Sequence, residues 1–325
     1  LLYGEEYPTT PFATPRDRFD NLMADPKYQG LLTDAGMASQ GLPVAASGMV
    51  IGAKAKNFPK ALAEKFEKLE ESGLSNREAF TETGVYRGPD GKLRYEIDDS
   101  ASNYRPSYVE QFGRNADGDL VTTSQTILEH PELYQNYPGI RFTTIKENPS
   151  FIRKNMMGAY YPNTNTIELN PIRMKSESGR STMLHELQHV LQDFEGFDKG
   201  GSSTFAFNNP ETFKIYKRIL KEMRTPKSLE EYASSAWGTD KITGEIRDAY
   251  ADYVKTVKKP ITAELDRAAQ ETATKEYYDR LGGEAEARMV QKRMDYTPAE
   301  RAAQFPLDDY DVPLNELIIR TSLLD

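Results

Sequence analysis

Residues 184–197 read LHELQHVLQDFEGF and hold two of the three histidines in this 325-residue chain. The leucine spacing predicts an α-helix, on which His185 and His189, four residues apart, point in nearly the same direction. They are separated by one turn, about 5.4 Å along the helix axis, so both imidazoles can bind a single cation. Glu186 is rotated by about 100° from His185, close enough to reach a water on that cation without ligating it.

The opposite face of this helix is apolar and is predicted to pack on a core, which leaves the polar stripe facing a cleft. The residues of that apolar face are Leu184, Leu187, Leu191 and Phe194.

Two imidazoles do not complete a catalytic zinc site, which normally has three protein ligands and one open position. Cysteine is absent, so any further ligand supplies nitrogen or oxygen. The remaining histidine, His130, precedes a turn, where a histidine is more often satisfied locally than a ligand. The sequence GGEAEARMVQKRM at residues 282–294 offers Glu284 and Glu286, which face opposite sides of a helix, so only one can ligate. Glu284 is favoured because it follows a Gly-Gly pair at the helix start, and Glu286 is the alternative.

With zinc on these ligands, we expect the metal to polarise a scissile carbonyl while Glu186 takes the proton of the bound water and passes it to the leaving amine. The imidazoles also need hydrogen-bond acceptors, for which Asp193 and Glu195 are the candidates. Arg288 alternatively pairs with Glu284 at helical spacing. The candidate donors to the charge that develops in the transition state are Tyr277, Tyr278, Arg288 and His130.

The composition excludes several classes of protein. The net charge of −9 opposes broad nucleic-acid binding, because a phosphate backbone requires clustered lysine and arginine. The one basic stretch, residues 213–227, is predicted to be the solvated face of an amphipathic helix. The absence of cysteine excludes disulfides, thiolate zinc clusters and cysteine nucleophiles. The least polar stretch, residues 41–53, is too short and too glycine-rich to span a bilayer, so we expect no membrane span.

The order of predicted elements indicates an α+β fold, with a small sheet before the histidine-bearing helix and a mostly helical part from about residue 204 to 325. Residues 1–57 lack a sustained period and are predicted to form an extended arm, followed by one main domain over 58–325. The strand TIEL at residues 166–169 is predicted to pair with an extended peptide along its edge, with a plain strand of the sheet as the alternative.

A Pro-Asp-Gly turn at residues 89–91 predicts a β-hairpin, and another strand is predicted near residues 140–145. Helices are predicted at residues 59–72, 210–223, 228–237, 245–257, 262–281 and 284–294.

Three stretches together resemble the zincin-like metallopeptidase domains found within large polyvalent proteins of phages and mobile elements. They are GAYYPNTNTIELNP at 158–171, STMLHELQHVLQDFEGFDKGGS at 181–202, and YYDRLGGEAEARMVQKRM at 277–294. The similarity spans roughly residues 60–320 and leaves out the predicted arm. It implies a zincin-like α+β fold, a zinc ion on His185, His189 and a glutamate of the GEAEAR segment, and Glu186 as the catalytic base.

The resemblance further implies a virion or phage-derived protein that is delivered into the host bacterial cytoplasm with the genome and acts on a host or phage polypeptide. Separately from the resemblance, the N-terminal arm is a candidate contact with other virion proteins. The leading prediction is a zinc-dependent metalloendopeptidase that hydrolyses peptide bonds. The alternatives are a structural or ejected virion protein with a non-catalytic zinc site, and a host-directed effector. The chain begins LLYG without methionine, as expected of a processed product or a piece of a longer protein.

Overall fold

The computed structural model describes residues 48–105, 107, 120–175, 178–201, 209–257 and 261–320. The chain divides into two compact units. The first unit comprises residues 1–197 and 286–311, and the second comprises residues 198–285 and 312–325. The described residues contain both helices and small sheets, so the fold is α+β, as the sequence predicts.

The strands all belong to the first unit and form three sheets within the described residues. The largest sheet has the order β5-β7-β9-β8, in which β7 and β9 are parallel and the other pairs are antiparallel. The other two sheets have the orders β1-β3-β2 and β4-β6. The bounds are β1 Val50–Ile51, β2 Tyr86–Arg87, β3 Leu93–Glu96, β4 Asn103–Tyr104, β5 Val121–Thr123, β6 Leu128–Glu129, β7 Thr144–Glu147, β8 Gly158–Tyr161 and β9 Thr166–Leu169.

The predicted strand at residues 166–169 is confirmed as β9, but its predicted role in edge pairing is wrong. β9 lies between two strands, with Ile167 opposite Ile145 of β7 on one side and opposite Tyr160 of β8 on the other. Both edges of β9 are therefore hydrogen-bonded to its own sheet. In the described part of the chain, β5 and β8 form the two edges of this sheet.

The six helices predicted by range match helices of the structure within about two residues at each end, which is the usual uncertainty of helix boundaries. None of the helices in the described residues combines the length and apolar character that crossing a membrane requires. In chain order the helices are α1 Lys60–Glu71, α2 Asn76–Thr83, α3 Ser124–Ile127, α4 Pro131–Asn136, α5 Ser150–Lys154, α6 Pro171–Met174, α7 Ser178–Glu195, α8 Pro210–Met223, α9 Leu229–Trp237, α10 Gly244–Val257, α11 Ala263–Asp279, α12 Gly282–Arg293 and α13 Pro298–Ala303.

The predicted hairpin is confirmed: β2 and β3 are antiparallel, with Tyr86 opposite Arg94. Gly91 has a φ of 81°, a conformation that favours glycine, and this accounts for the Pro-Asp-Gly signal. The strand predicted near residues 140–145 is displaced. A 3₁₀ turn occupies Pro138–Phe142, because proline fixes φ at the first position of a helical turn, and the strand begins only at Thr144.

In the second unit, α8 and α11 pack against each other. Ile215 and Ile219 lie four residues apart on α8, and Ala269 and Ala273 lie four residues apart on α11, so each pair occupies one face of its helix. All four side chains are buried. The small alanines let the two helices approach closely, and the isoleucines fill the interface.

Two structural features bear on the predicted domain boundaries. Val50 and Ile51, within the predicted arm of residues 1–57, are buried and pair with β3, so they belong to the first unit. Residues 1–47 lie outside the described part of the chain. The predicted helical part, residues 204–325, is interrupted because residues 286–311 belong to the first unit.

Candidate metal centre

Helix α7 carries the two histidines and Glu186 in its middle turns. The three leucines of the predicted apolar face are fully buried, whereas Phe194 is 51% exposed, so the prediction is wrong for this residue. Phe194 lies in the last turn, where its ring meets the edge of the Tyr137 ring. The helix ends at Gly196, whose φ of 72° lets the amide of Phe197 donate back to the carbonyl of Gln192.

The imidazoles of His185 and His189 face each other through their Nε2 atoms, which are 3.2 Å apart. The Nδ1 atom of His185 lies 3.0 Å from Oε1 of Gln291, and Nδ1 of His189 lies 2.8 Å from Oε1 of Gln192. An amide oxygen can only accept a hydrogen bond, so each Nδ1 carries a proton and donates it. In neutral rings, each Nε2 then presents its lone pair toward the other ring, which is an arrangement suited to a shared cation.

The Nδ1 acceptors are therefore the two glutamines rather than Asp193 and Glu195, the candidates from the sequence. The carboxylate of Glu195 accepts hydrogen bonds from the hydroxyl of Tyr137 and the backbone amide of Lys54. The sequence does not single out Gln192 and Gln291, because neutral amides are common on helices and carry no charge signal. Gln192 could still have been found as a residue one turn beyond His189.

Glu284 belongs to α12, a continuous helix whose first turn, residues 282–285, is assigned to the second unit and whose remaining turns are assigned to the first. The candidate ligand atoms of His185, His189 and Glu284 all lie within 4.8 Å of one another. Glu284 is 1% exposed, and its Oε1 accepts a hydrogen bond of 2.9 Å from the amide of Gly201. The donor set is two imidazoles and one carboxylate, which are nitrogen and oxygen ligands that zinc accepts.

Glu286, the alternative ligand, is directed elsewhere. Its Oε2 accepts a hydrogen bond of 2.7 Å from Nε of Arg94, and its Oε1 accepts hydrogen bonds of 3.1 Å from the side-chain amides of Gln188 and Gln192. Arg94 also forms an ion pair with Asp90 at 2.6 Å. Both oxygens of Glu286 are thus engaged in a buried polar network, as expected for a residue two positions from Glu284 on a helix.

Glu186 is 5% exposed and packs against β8. A Cβ placed on Gly158 would come within 2.7 Å of Oε1 of Glu186, so the carboxylate occupies the space that a side chain at position 158 would fill. Burial raises the pKa of the nearby Tyr161, and the carboxylates of Glu168 and Glu186 raise that pKa further. Tyr161, in the GAYY stretch, is not among the candidates from the sequence, and its hydroxyl is hydrogen-bonded to Glu168.

The other candidate donors have clear partners of their own. His130 is 1% exposed: its Nδ1 accepts from the amide of Leu133 at the start of α4, and its Nε2 donates to Asp99 at 2.6 Å. It is a locally satisfied histidine, in agreement with the more common interpretation of its sequence context. Arg288 forms a bidentate ion pair with Asp311, with separations of 2.6 and 3.0 Å.

The two candidate tyrosines lie in the second unit. Tyr277 is 4% exposed within the α8–α11 core, and its hydroxyl accepts a hydrogen bond of 3.0 Å from Nδ2 of Asn209. Tyr278 packs against the same core. The contacts of Tyr277 are those of a core residue.

Comparison with protein families gives one match. Residues 48–105 match the family model of large polyvalent protein associated domain 23. The match covers 58 of the 325 residues and supports the predicted association with large polyvalent proteins. It begins within the predicted N-terminal arm and ends before the two histidines of α7. Neither the curated proteins nor the solved structures gave a match.

A cavity of about 550 Å³ opens in the first unit, one turn beyond His189 along α7. Its lining combines apolar and aromatic residues, among them Val190, Phe194 and Tyr160, with polar ones. The charged residues of the lining are Lys54, Lys56 and Asp193. Burial raises the pKa of Tyr160 to about 12, and the negative charge of Asp193 acts in the same direction. Because Tyr160 is two residues from Gly158 on β8, the cavity lies on the same side of the strand as Glu186.

Proposed function

We propose that this chain is a zinc-dependent metallopeptidase with a zincin-like fold, in which His185, His189 and Glu284 bind the metal and Glu186 acts as the base. The observation that carries the proposal is the pair of Nε2 atoms 3.2 Å apart, each on a ring whose Nδ1 donates to an amide oxygen. Two nitrogen lone pairs that face each other at this distance repel unless a positive charge lies between them.

The separation of the two nitrogens fits zinc. Two zinc–nitrogen bonds of about 2.0–2.1 Å at a tetrahedral angle place their nitrogens about 3.3 Å apart. The observed 3.2 Å agrees with this value. The carboxylate of Glu284 would supply a third ligand, and a zinc ion held by three protein ligands would keep one position open for water or substrate. Catalytic zinc sites have this composition, whereas structural sites have four protein ligands.

Zinc bound here would acidify water and polarise a substrate carbonyl. The chain's own contribution is Glu186, which accepts the proton of the attacking water and returns it to the leaving amine. Its carboxylate is positioned between α7 and β8 by the absence of a side chain at Gly158.

We infer that the substrate is an extended polypeptide. Within the described residues, β8 is one of the two edge strands of the largest sheet, and it runs past Glu186. An exposed edge strand can bind a peptide through backbone hydrogen bonds, and the 550 Å³ cavity beside Tyr160 offers space for one substrate side chain.

The association with large polyvalent proteins supports a phage-derived origin. We propose that the protein is carried in the virion or acts in the host bacterial cytoplasm, on a phage or host polypeptide. The proposed contact between the N-terminal arm and other virion proteins concerns mainly residues 1–47, which lie outside the described part of the chain.

The decisive experiment measures zinc content and peptide cleavage on the same purified samples. The wild-type protein is expected to hold one zinc per chain and to cleave members of an unbiased peptide library, as read by mass spectrometry. His185→Ala should lose the metal, whereas Glu186→Gln should keep the metal and lose cleavage. Zinc content unaffected by His185→Ala refutes the metal site. Zinc binding without any cleavage by the wild-type protein favours the non-catalytic alternative.

A further inference from the structure

We propose that Glu286 is a positioning residue that acts through Gln192: it fixes the orientation of the Gln192 amide and thereby the tautomer of His189. The relevant tautomer carries its proton on Nδ1 and presents the lone pair of Nε2 to the cation site. The purpose of this arrangement rests on the proposed function, since the tautomer matters for catalysis only if a cation binds at Nε2.

Buried contacts with neighbouring side chains fix the orientation of the Glu286 carboxylate. It is 2% exposed, and Arg94, which is 1% exposed, donates to its Oε2 at 2.7 Å. Arg94 is in turn bound to Asp90 and stacks over the ring of Phe197 at 3.8 Å. A carboxylate paired with arginine accepts hydrogen bonds and has no proton to donate. Any amide that faces Oε1 of Glu286 must therefore present its nitrogen.

Gln192 connects the acceptor oxygen of Glu286 directly to the ring of His189. Nε2 of Gln192 donates to Glu286 at 3.1 Å, so the amide oxygen of Gln192 faces Nδ1 of His189 at 2.8 Å. Because the oxygen only accepts, Nδ1 must hold the proton. If the amide turned over, its nitrogen would face Nδ1 instead. The ring would then keep its proton on Nε2, which is the tautomer that cannot bind a metal through Nε2.

The other histidine offers an internal control, because its tautomer is fixed without Glu286. Nδ1 of His185 faces Oε1 of Gln291, and Nε2 of Gln291 donates to the backbone carbonyl of Ser181 at 3.2 Å and to its hydroxyl at 3.0 Å. A backbone carbonyl is also an obligate acceptor. A change at Glu286 is therefore expected to affect His189 and to spare His185.

Glu286→Gln is the sharpest test. The oxygen of the new amide is expected to stay with the charged Arg94, which directs its NH₂ group at Gln188 and Gln192. Gln188 cannot turn over, because Val50 holds both ends of its amide through the backbone N–H and C=O. Gln192 is therefore the amide that turns, and His189 changes tautomer.

The measurement is the nitrogen NMR spectrum of the histidine rings in metal-free protein at about pH 8, above the ordinary histidine pKa. In the wild-type protein Nδ1 of both rings should carry a proton. In Glu286→Gln, Nδ1 of His189 should lose its proton while Nδ1 of His185 keeps it, and zinc affinity should fall about 10- to 100-fold. A folded Glu286→Gln protein in which Nδ1 of His189 remains fully protonated overturns the proposal.

Two further variants keep the test decisive if Glu286→Gln does not fold. Gln192→Met leaves the Arg94–Glu286 pair intact and should also remove the Nδ1 preference of His189; a retained preference overturns the proposal. Gln188→Met is the matched control, since it removes the other amide bound to Glu286 and should leave His189 unchanged. The spectra do not depend on zinc or cleavage. A wild-type protein that binds no zinc but shows these tautomers therefore refutes the proposed function and not this inference.

Discussion

Gly158→Ala tests whether the close packing of Glu186 against β8 controls catalysis. The added Cβ would lie 2.7 Å from Oε1, 3.0 Å from Cγ and 3.1 Å from Cδ of Glu186. Ordinary contact begins at about 3.4 Å, so the carboxylate oxygen must move by about 0.7 Å, while β8 is held in register by its pairing with β9.

A displacement of this size matters because general-base catalysis depends on hydrogen-bond geometry. A misplacement of about 1 Å in a catalytic group can cost about 100-fold in rate. We therefore expect Gly158→Ala to lower kcat about 10- to 100-fold. Zinc content should not change, because the three atoms nearest to the new methyl group all belong to Glu186, which is not one of the proposed ligands.

The assay compares kcat for a cleaved library peptide with zinc stoichiometry in the same preparation. Gly244→Ala is the matched control, because an added Cβ at Gly244 meets no atom within 4 Å. Both variants replace glycine with alanine at positions without a positive φ, so backbone strain does not separate them. Equal rates for Gly158→Ala and Gly244→Ala would refute the assignment of Glu186 as a geometrically restrained base.

Two predictions concern stability. Burial raises the pKa of Tyr134 from 10.0 to about 12. The neutral phenol therefore contributes about 2–3 kcal/mol to the free energy of unfolding below pH 10, and this contribution is lost as the pH rises toward 12. Urea unfolding should show a steeper alkaline loss of stability for the wild type than for Tyr134→Phe, and parallel profiles would contradict this. Glu96→Ala removes one partner of the fully buried Arg293, bound at 2.7 and 2.8 Å, and should cost about 3–5 kcal/mol in urea unfolding. The exposed pair of Lys65 and Glu82 is the control, and Glu82→Ala should cost less than about 1 kcal/mol; similar losses for both variants would show that burial does not set the effect.

The sequence predicts most of the fold because the signals involved are local. Helical spacing and capping residues define α8 to α12, and the Pro-Asp-Gly turn defines the β2–β3 hairpin. The spacing of His185, Glu186 and His189 likewise predicts their common helix. These features depend on residues within a few positions of each other, which the periodicity of the backbone brings together.

The features that the sequence does not predict depend on long-range contacts. Nothing within TIEL indicates that β8 covers one edge of β9, so the edge strand is assigned wrongly. The choice between Glu284 and Glu286 depends on Arg94, which is 192 residues away in sequence from Glu286. The glutamine acceptors were missed for a similar reason, because Gln291 meets His185 only through the packing of α12 near α7.

The segment that matches the polyvalent-protein family, residues 48–105, contains neither histidine, yet it supplies Val50 and Arg94. The backbone N–H and C=O of Val50 form hydrogen bonds with the side-chain amide of Gln188 in α7, and Arg94 donates a hydrogen bond to Glu286 in α12. This segment thus stabilises the positions of two helices that lie outside it in the sequence. A protein that shares only this segment can carry different functional side chains on the helices that the segment stabilises. Similarity in residues 48–105 by itself therefore indicates a shared structural support and not a shared reaction.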